Sequence, residues 1–541
     1  MLSLRTTMRL VAWGMIGACG GKAATSDGPL PGDSGPAPSP SDTVDVDTSR
    51  GVDSTPVVDS TVDSGLGDEV VASVGAGNLP LLMVIDAELA TPGPVAVVCR
   101  SVDDSDVLLF RSEDADTHHQ VALPGLLPDT DYSCAVARVS AEGTAGPATV
   151  VAVRPPTLPG SLPTLTVPLD EGVEPAWVMA NTTHGCGAQS TQWVFVADRA
   201  GRIRWAYEVG MGFDIDIDAS WTGDRVHLGG GWALFDEDEP HRGLMRQLTL
   251  DGQVLVDRTT PHVGLGFNHH SEVLPDGTVV SLTTHPHDED GPRWYGVAVE
   301  QWDPTTDSVP WSWTTADVAD QLPRQDPVSP WHANALEWVT DPHGDALWVS
   351  TYVSQALWRI DRDSGAITHV LSSYGDFALI DTSGAPLPDG EWFFGQHDPD
   401  VMPDGRVLLY DNGVGRPGSN SQSRVVEYQL DLDARTATRT WSWTEAGWFT
   451  PFVGDADYLP DGHVLVTKGV IHCVTPWQTG QVSSVIELDL DAAGGAAPVW
   501  RMDWGDEDGQ VFRSQRYDGC DIFSHAGSCP TVADEVAQLG L

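Results

Sequence analysis

From about residue 175 onward, short apolar runs alternate with tight polar turns, and the alternation repeats. Each unit opens on a polar or His-containing segment, enters an apolar strand, turns at Pro-Asp-Gly or a variant of it, and returns as a second apolar strand. A long excursion follows, then a strand that ends in an Asp-rich turn and Trp. The clearest copies are HHSEVLPDGTVVSLTTH at 269–285, QHDPDVMPDGRVLLYDNG at 396–413 and GDADYLPDGHVLVTKG at 454–469. Weaker copies are WHANALEWVTDPHGDALWVSTY at 331–352 and FDIDIDASWTGDRVHLGG at 213–230. Closing strands of matching form occur six times, from WVFVADRAGRIRWAYEV to SVIELDLDAAGGAAPVWRMDW. The turn glycines Gly223, Gly277, Gly344, Gly405 and Gly462 are 54, 67, 61 and 57 residues apart. Propeller repeats run at roughly 40–50 residues, so each unit carries an insert. Short antiparallel strands of this kind cannot bury both faces alone, and radial stacking solves that. The pattern predicts an all-β chain whose main body, residues 170–541, is a six-bladed β-propeller with a C-terminal tail.

Ahead of it, residues 78–156 show shorter alternating strands: LPLLMVIDAEL, VAVVCRSV, VLLFRS, DYSCAVARVS and ATVVAVRPP. The stretch Leu126-Leu127-Pro128-Asp129-Thr130-Asp131-Tyr132 resembles the corner of a fibronectin type III module, in which a Tyr anchors its hydroxyl on nearby backbone. A small fibronectin type III-like β-sandwich is therefore expected, as a spacer or binder without chemistry. Cys99 and Cys134 fall in separate strands of it, as a disulfide or as two buried thiols.

Composition narrows the function. Lys+Arg is 28 against 78 Asp+Glu, a formal net charge of −50. Nucleic acid needs a basic footprint, so it is excluded as the main partner. The 56 Gly, 39 Pro and 21 Trp suit a turn-rich β protein and not a helix bundle. At the N-terminus, Arg5 and Arg9 precede the apolar run LVAWGMIGA and then Cys19. This resembles a bacterial lipoprotein signal at 1–18, with Cys19 lipidated; the alternative is a plain secretory signal. Either places the protein outside the cytoplasm. Gly20 after Cys19 points to the outer membrane of a cell envelope, with the lipid as the membrane contact. Residues 19–77, rich in Asp, Ser and Pro, read as a self-repelling tether.

The candidate chemistry sits at one repeat position. His269 lies eight residues before Gly277 and His397 eight before Gly405; His332 lies four before Leu336, as His397 does before Val401. Three units thus place a His at the start of the strand that lines a propeller's channel, where the imidazoles converge. The competing reading is a packing role, with His supplying hydrogen bonds between strand ends.

With these motifs in place, residues 175–510 resemble the bacterial arylsulfotransferase family. His332-Ala333-Asn334 is similar to its His-x-Asn, and Gln396-His397-Asp398 to the segment bearing its nucleophilic His. Asp411-Asn412-Gly413 with Ser423-Arg424 is similar to its Asp-Asn-Gly and Ser-Arg segments. The resemblance implies transfer of a sulfuryl group from an aryl sulfate to a phenol, without metal or organic cofactor; the chain is expected to act as a monomer. His397 would be the nucleophile. His332 and Asn334 would hold the sulfuryl oxygens, and His269 or His270 would carry the proton. Arg424 and the residue at 352 would face substrate. One departure matters: the family's catalytic Arg is replaced by Tyr352, whose hydroxyl offers one neutral hydrogen bond in place of a charged fork. Arg359 and His270 are the candidates to compensate. The alternative function is therefore a non-catalytic surface propeller that binds a ligand or protein in its channel.

Weaker features read as structural. His285-Pro286-His287-Asp288 reads as a solvated loop in an insert. Asp214, Asp216 and Asp218, and Asp236 to Glu239, read as solvated turn acids. The Trp residues read as packing between blades. Cys520 and Cys529 would close a short loop, and Cys186 and Cys473 would join the first and last units.

Overall fold

A computed structural model describes residues 70–541 apart from 104, 142, 173–175, 186–189, 212–216, 232–242, 288–293, 320–321, 323–325, 327–328, 419–420, 471–480, 493–494 and 506–508. The expectations at Cys19, Cys186, Cys473, Asp214, Asp216, Asp236 to Glu239 and Asp288 lie outside the described residues.

Six sheets follow one another around a ring, antiparallel apart from the edge strand Ala378–Ile380 of blade five, and blades two to six start at the centre and work outward. The innermost strands of blades two to six are Ile217–Thr222, Phe267–Val273, Ala333–Asp341, His397–Val401 and Asp455–Tyr458. Each pairs with the next strand through a hairpin whose Gly has a left-handed φ: Gly223 at 72°, Gly277 at 83°, Gly344 at 106°, Gly405 at 87° and Gly462 at 89°. A Cβ is disfavoured in that region, which is why the repeat keeps Gly at this place. The second and third strands of the blades are buried along most of their length, as in Val279–His287 and Trp294–Asp303, because neighbouring blades cover both of their faces.

Blade one is assembled from both ends of the propeller. Its inner strand, Ser514–Asp518, pairs antiparallel with Ala176–His184, followed by Thr191–Ala197 and Ile203–Met211. At the other side Leu165–Asp170 adds an outer strand to blade six, so residues before 170 already belong to the propeller. Indole N–H groups tie blade to blade. Trp500 donates to Arg199 O at 3.1 Å, Trp205 to Leu250 O at 2.8 Å and Trp313 to Gly365 O at 2.8 Å.

The N-terminal sandwich packs a three-stranded sheet (Val70–Ala76, Met83–Leu89, His118–Leu123) on a four-stranded one (Val107–Ser112, Val95–Ser101, Tyr132–Arg138, Thr149–Val153). Its first strand corrects the tether boundary at 77: Val70–Ala76 buries Val70 and pairs along its whole length with Met83–Leu89. Cys99 and Cys134 oppose each other on neighbouring strands and are disulfide-bonded. The Tyr132 hydroxyl accepts from Leu127 N–H at 3.0 Å.

The C-terminal tail wedges this sandwich against blade one. Cys520 and Cys529 are bridged, and the helix Pro530–Leu539 follows. One hydrophobic cluster joins Val98 and Leu109 of the sandwich, Met179 and Val194 of blade one, and Phe523 and Val532 of the tail. Arg204 of blade one pairs with Asp106 of the sandwich at 2.8 Å.

Candidate active site

The inner strands of blades three, four and five each carry a bulge near the ring's axis. His269 (φ 48°), His332 (φ 49°) and Asp398 (φ 41°) are in the left-handed region there. Such a conformation costs a non-Gly residue of order 1 kcal/mol or more, and it turns the side chain out of the strand's alternation. The structure brings His269 and His332 together, Nε2 to Nε2 at 3.1 Å. His397 stands beyond Tyr352, whose ring is 5.4 Å from the His397 ring and 6.1 Å from the His332 ring. Burial first, then the nearby His269 and His397, hold His332 well below the usual histidine range, so it is neutral.

The nucleophile candidate has a defined tautomer. Asn412 donates from Nδ2 to Thr450 O at 2.7 Å and to Val453 O at 2.9 Å. Its Oδ1 therefore faces His397 Nδ1, 2.8 Å away, and can only accept. The proton of neutral His397 is thus on Nδ1, and Nε2 keeps its lone pair. Asn412 stood in a quoted motif, but nothing in the sequence assigned it this task.

Other expected site residues point elsewhere. Asn334 is fully buried and donates to Gln396 O at 2.8 Å, so it braces the backbone before His397 and does not present its amide to a ligand. His270 accepts Leu336 N–H on Nδ1 at 3.1 Å and lies 3.2 Å from Asp218 through Nε2. Burial and then Arg513 push its pKa down to about 3. It is a brace between blades, whereas its neighbour His269 faces the site. Arg424 gives Nε to Asp411 at 2.8 Å and its other donors to Glu391 and Trp392 inside blade five, so it does not face substrate. Arg359 is forked onto Asp341 at 2.8 Å. The Tyr352 hydroxyl donates to Pro451 O at 3.0 Å and presents ring, not donor, to the histidines. Gly395 makes room for that ring: a Cβ there would come within 3.0 Å of Tyr352 Cε2. A cleft lined by Asn268, Thr284, Tyr295 and Ser329 leads to His332.

Two features were missed. Arg513, just before the inner strand of blade one, is buried and binds Asp218 Oδ2 at 3.2 Å, Asn334 O at 2.9 Å and Asp398 Oδ1 at 2.9 Å. Around it the inner strands of the other blades turn in Asp218, Glu272, Glu337, Asp398, Asp400, Asp455 and Asp457. Burial pushes Asp218 up to about 6 and Glu272 up to about 7. Burial raises Asp398, but Arg513, the hydrogen bond with Asp455, and His270 and His397 together outweigh this and its net shift is downward. Asp218, expected as a solvated turn acid, is instead inside this group. The sequence did carry a signal for it: acids two apart on the inner strands, as in Asp398-Pro399-Asp400 and Asp455-Ala456-Asp457. The His285-to-Asp288 reading is corrected where it is described. His285 and His287 continue the strand Val279–His287, and His287 is buried with its ring stacked 3.6 Å from that of Trp294.

A family model described as arylsulfotransferase (ASST) matches residues 178–501. No curated protein matches the chain. Among solved structures, one described as "Crystal structure of an ACO/RPE65 chimera" is 11% identical, covering 71% of this chain and 94% of that one with a TM-score of 0.28. Hydrazine synthase of Kuenenia stuttgartiensis is 9% identical, covering 63% of this chain and 46% of that one with a TM-score of 0.25. Scores this low carry no argument.

Proposed function

The chain belongs to the arylsulfotransferase family, and from that premise we propose that it transfers a sulfuryl group from an aryl sulfate to a phenol through a sulfated His397. The observation that carries this reading is the Asn412–His397 hydrogen bond. With Nδ1–H held at 2.8 Å from Asn412 Oδ1, Nε2 carries the lone pair that attacks sulfur. The new N–S bond forms as the S–O bond to the aryl group breaks, and the electron pair leaves on the phenolate. Because Nδ1 keeps its proton, the sulfated ring is an imidazolium, a good leaving group for the second step. The His269–His332 pair shares one proton across 3.1 Å. The first aryl group leaves as phenolate; the neutral pair then takes the proton of the acceptor phenol, whose oxygen takes the sulfuryl group as S–N breaks, and the pair returns that proton to solvent. The cleft at Asn268 and Tyr295 is the route by which phenols reach His332. Incubation with a chromogenic aryl sulfate and a phenol tests this. Phenolate release by the natural chain and none by His397→Ala is expected, and no release from the natural chain would contradict it.

One observation favours the second reading, a binding propeller without turnover. Tyr352 stands where the family has its Arg, and its hydroxyl is spent on Pro451 O. Binding of an aryl sulfate without its conversion would support that reading.

The same proposal extends to the N-terminus. The sandwich is taken as fibronectin type III-like, which its three-plus-four strand arrangement and the Tyr132 corner support. Lipidation of Cys19 would hold the protein at the cell envelope, and release of Cys19→Ser from the membrane fraction tests it.

A further inference from the structure

The histidines do not use the acidic group beneath them. Asp398 of blade five and Asp455 and Asp457 of blade six each offer a carboxylate oxygen, and all three atoms lie within 4.8 Å of one another. A single hard cation holds carboxylate oxygens at roughly 2.3–2.6 Å, so oxygens on opposite sides of it are about 4.6–5.2 Å apart. The three atoms can therefore share one ion after small side-chain adjustments. Asp455 is 1% exposed; its Oδ2 takes a long bond from Ser514 N–H at 3.4 Å, its carboxyl faces that of Asp398 at hydrogen-bonding range, and its Oδ1 is buried with no other donor beside it. A buried carboxylate oxygen left unpaired is costly, and here it belongs to a group that otherwise converges on one point. The surroundings add negative charge. Asp218, Glu337 and Asp400 are electrostatic neighbours of the three, whereas Arg513 lies inside the group and Arg406 reaches Asp400 at its edge. Arg513 gives its two terminal nitrogens to Asp218, Asp398 and the Asn334 carbonyl, and neither donates to Asp455 or Asp457, on which it acts only through its charge.

We propose that Asp398, Asp455 and Asp457 bind a structural calcium ion that ties the inner strands of blades five and six together beneath His397. The donors are all carboxylate oxygens on three side chains, the hard set that calcium accepts in flexible geometry, and burial disfavours magnesium, which gives up its water reluctantly. Asp398 follows His397 directly, so the ion would also hold the nucleophile's strand. The site does not depend on sulfuryl transfer, and its test does not read activity.

The full-length protein is stripped with chelator, incubated with calcium chloride, freed of unbound ion by gel filtration and assayed for calcium by elemental analysis. About one calcium per chain is expected, with a higher thermal midpoint in calcium than in chelator. Asp455→Asn and Asp457→Asn keep the side-chain shape, and each should weaken calcium binding by more than about tenfold. If those variants do not fold, the natural chain decides alone. No retained calcium and an unchanged midpoint would overturn the proposal and leave a proton shared between Asp398 and Asp455 as the account of the cluster. Undiminished binding by both variants would overturn the assignment of ligands.

Discussion

His269 and His332, from the inner strands of adjacent blades, meet Nε2 to Nε2 at 3.1 Å. One of the two nitrogens must donate and the other accept, so the pair holds one proton comfortably and two badly. His332 lies well below the usual 6.5 because it is buried beside His269 and His397. The rate of aryl-sulfate turnover should therefore fall on the acid side, with the limb below pH 6.5, where a second proton sets N–H against N–H. His332→Gln should lower kcat by about 10²–10⁴. A kcat profile that stays flat through the acid range would show that the pair carries no proton in the reaction.

Stability should follow pH through a different histidine. His525, in the tail, donates from Nε2 to Pro124 O at 2.8 Å and packs on Phe110, and burial pushes it from 6.5 down to about 4. Its folded pKa is the lower one, so between pH 6.5 and 4 the unfolded chain binds a proton that the folded chain refuses. Its contribution is complete above 6.5 and is lost as pH falls toward 4. The raised acids act with opposite sign: Asp218, at about 6 against 3.8, stabilises below 3.8 and loses this as pH rises through 6. His525→Gln should then flatten the acid-side loss, read as urea midpoints across that range. An unchanged slope would show that His525 is not the group responsible.

Tyr352 decides whether the site turns over slowly or only binds. Its ring lies beside both His332 and His397, so Tyr352→Arg should put a charged fork next to the sulfuryl position. A charge-assisted bond gains roughly 1.5–3 kcal/mol, about ten- to hundredfold in kcat if felt only in the transition state. Tyr352→Phe removes only the bond to Pro451 O and should cost about 0.5–1.5 kcal/mol of stability with little change in rate. A folded Tyr352→Arg protein with no gain in turnover would favour the binding propeller.

The repeat was legible because a left-handed turn demands Gly, and Gly223, Gly277, Gly344, Gly405 and Gly462 mark one hairpin in each of five blades. The three histidines were legible for the same reason, since each counts back from a turn or from a matched apolar residue. Side-chain direction was not. The inner strands shift register between Phe267 and Ser271, between Ala333 and Ala335, and between His397 and Asp400. Past a bulge, alternation counted from the turn no longer says which face a residue takes. That is why His270 and Asn334 read as site residues and are braces. Arg513 lies beyond the last repeat and enters the channel only because Ser514–Asp518 closes blade one, a pairing set by tertiary structure.

The central claim is a covalent sulfuryl group on His397 Nε2, and it is tested by trapping. The protein is mixed with aryl sulfate without acceptor, quenched at alkaline pH, digested, and its peptides weighed. The account predicts one added sulfuryl mass on the peptide containing His397, absent in His397→Ala, strongly reduced in Asn412→Leu, and discharged when phenol is added before the quench. Product formation with no adduct at His397, or an adduct on His269 or His332 in its place, would contradict it.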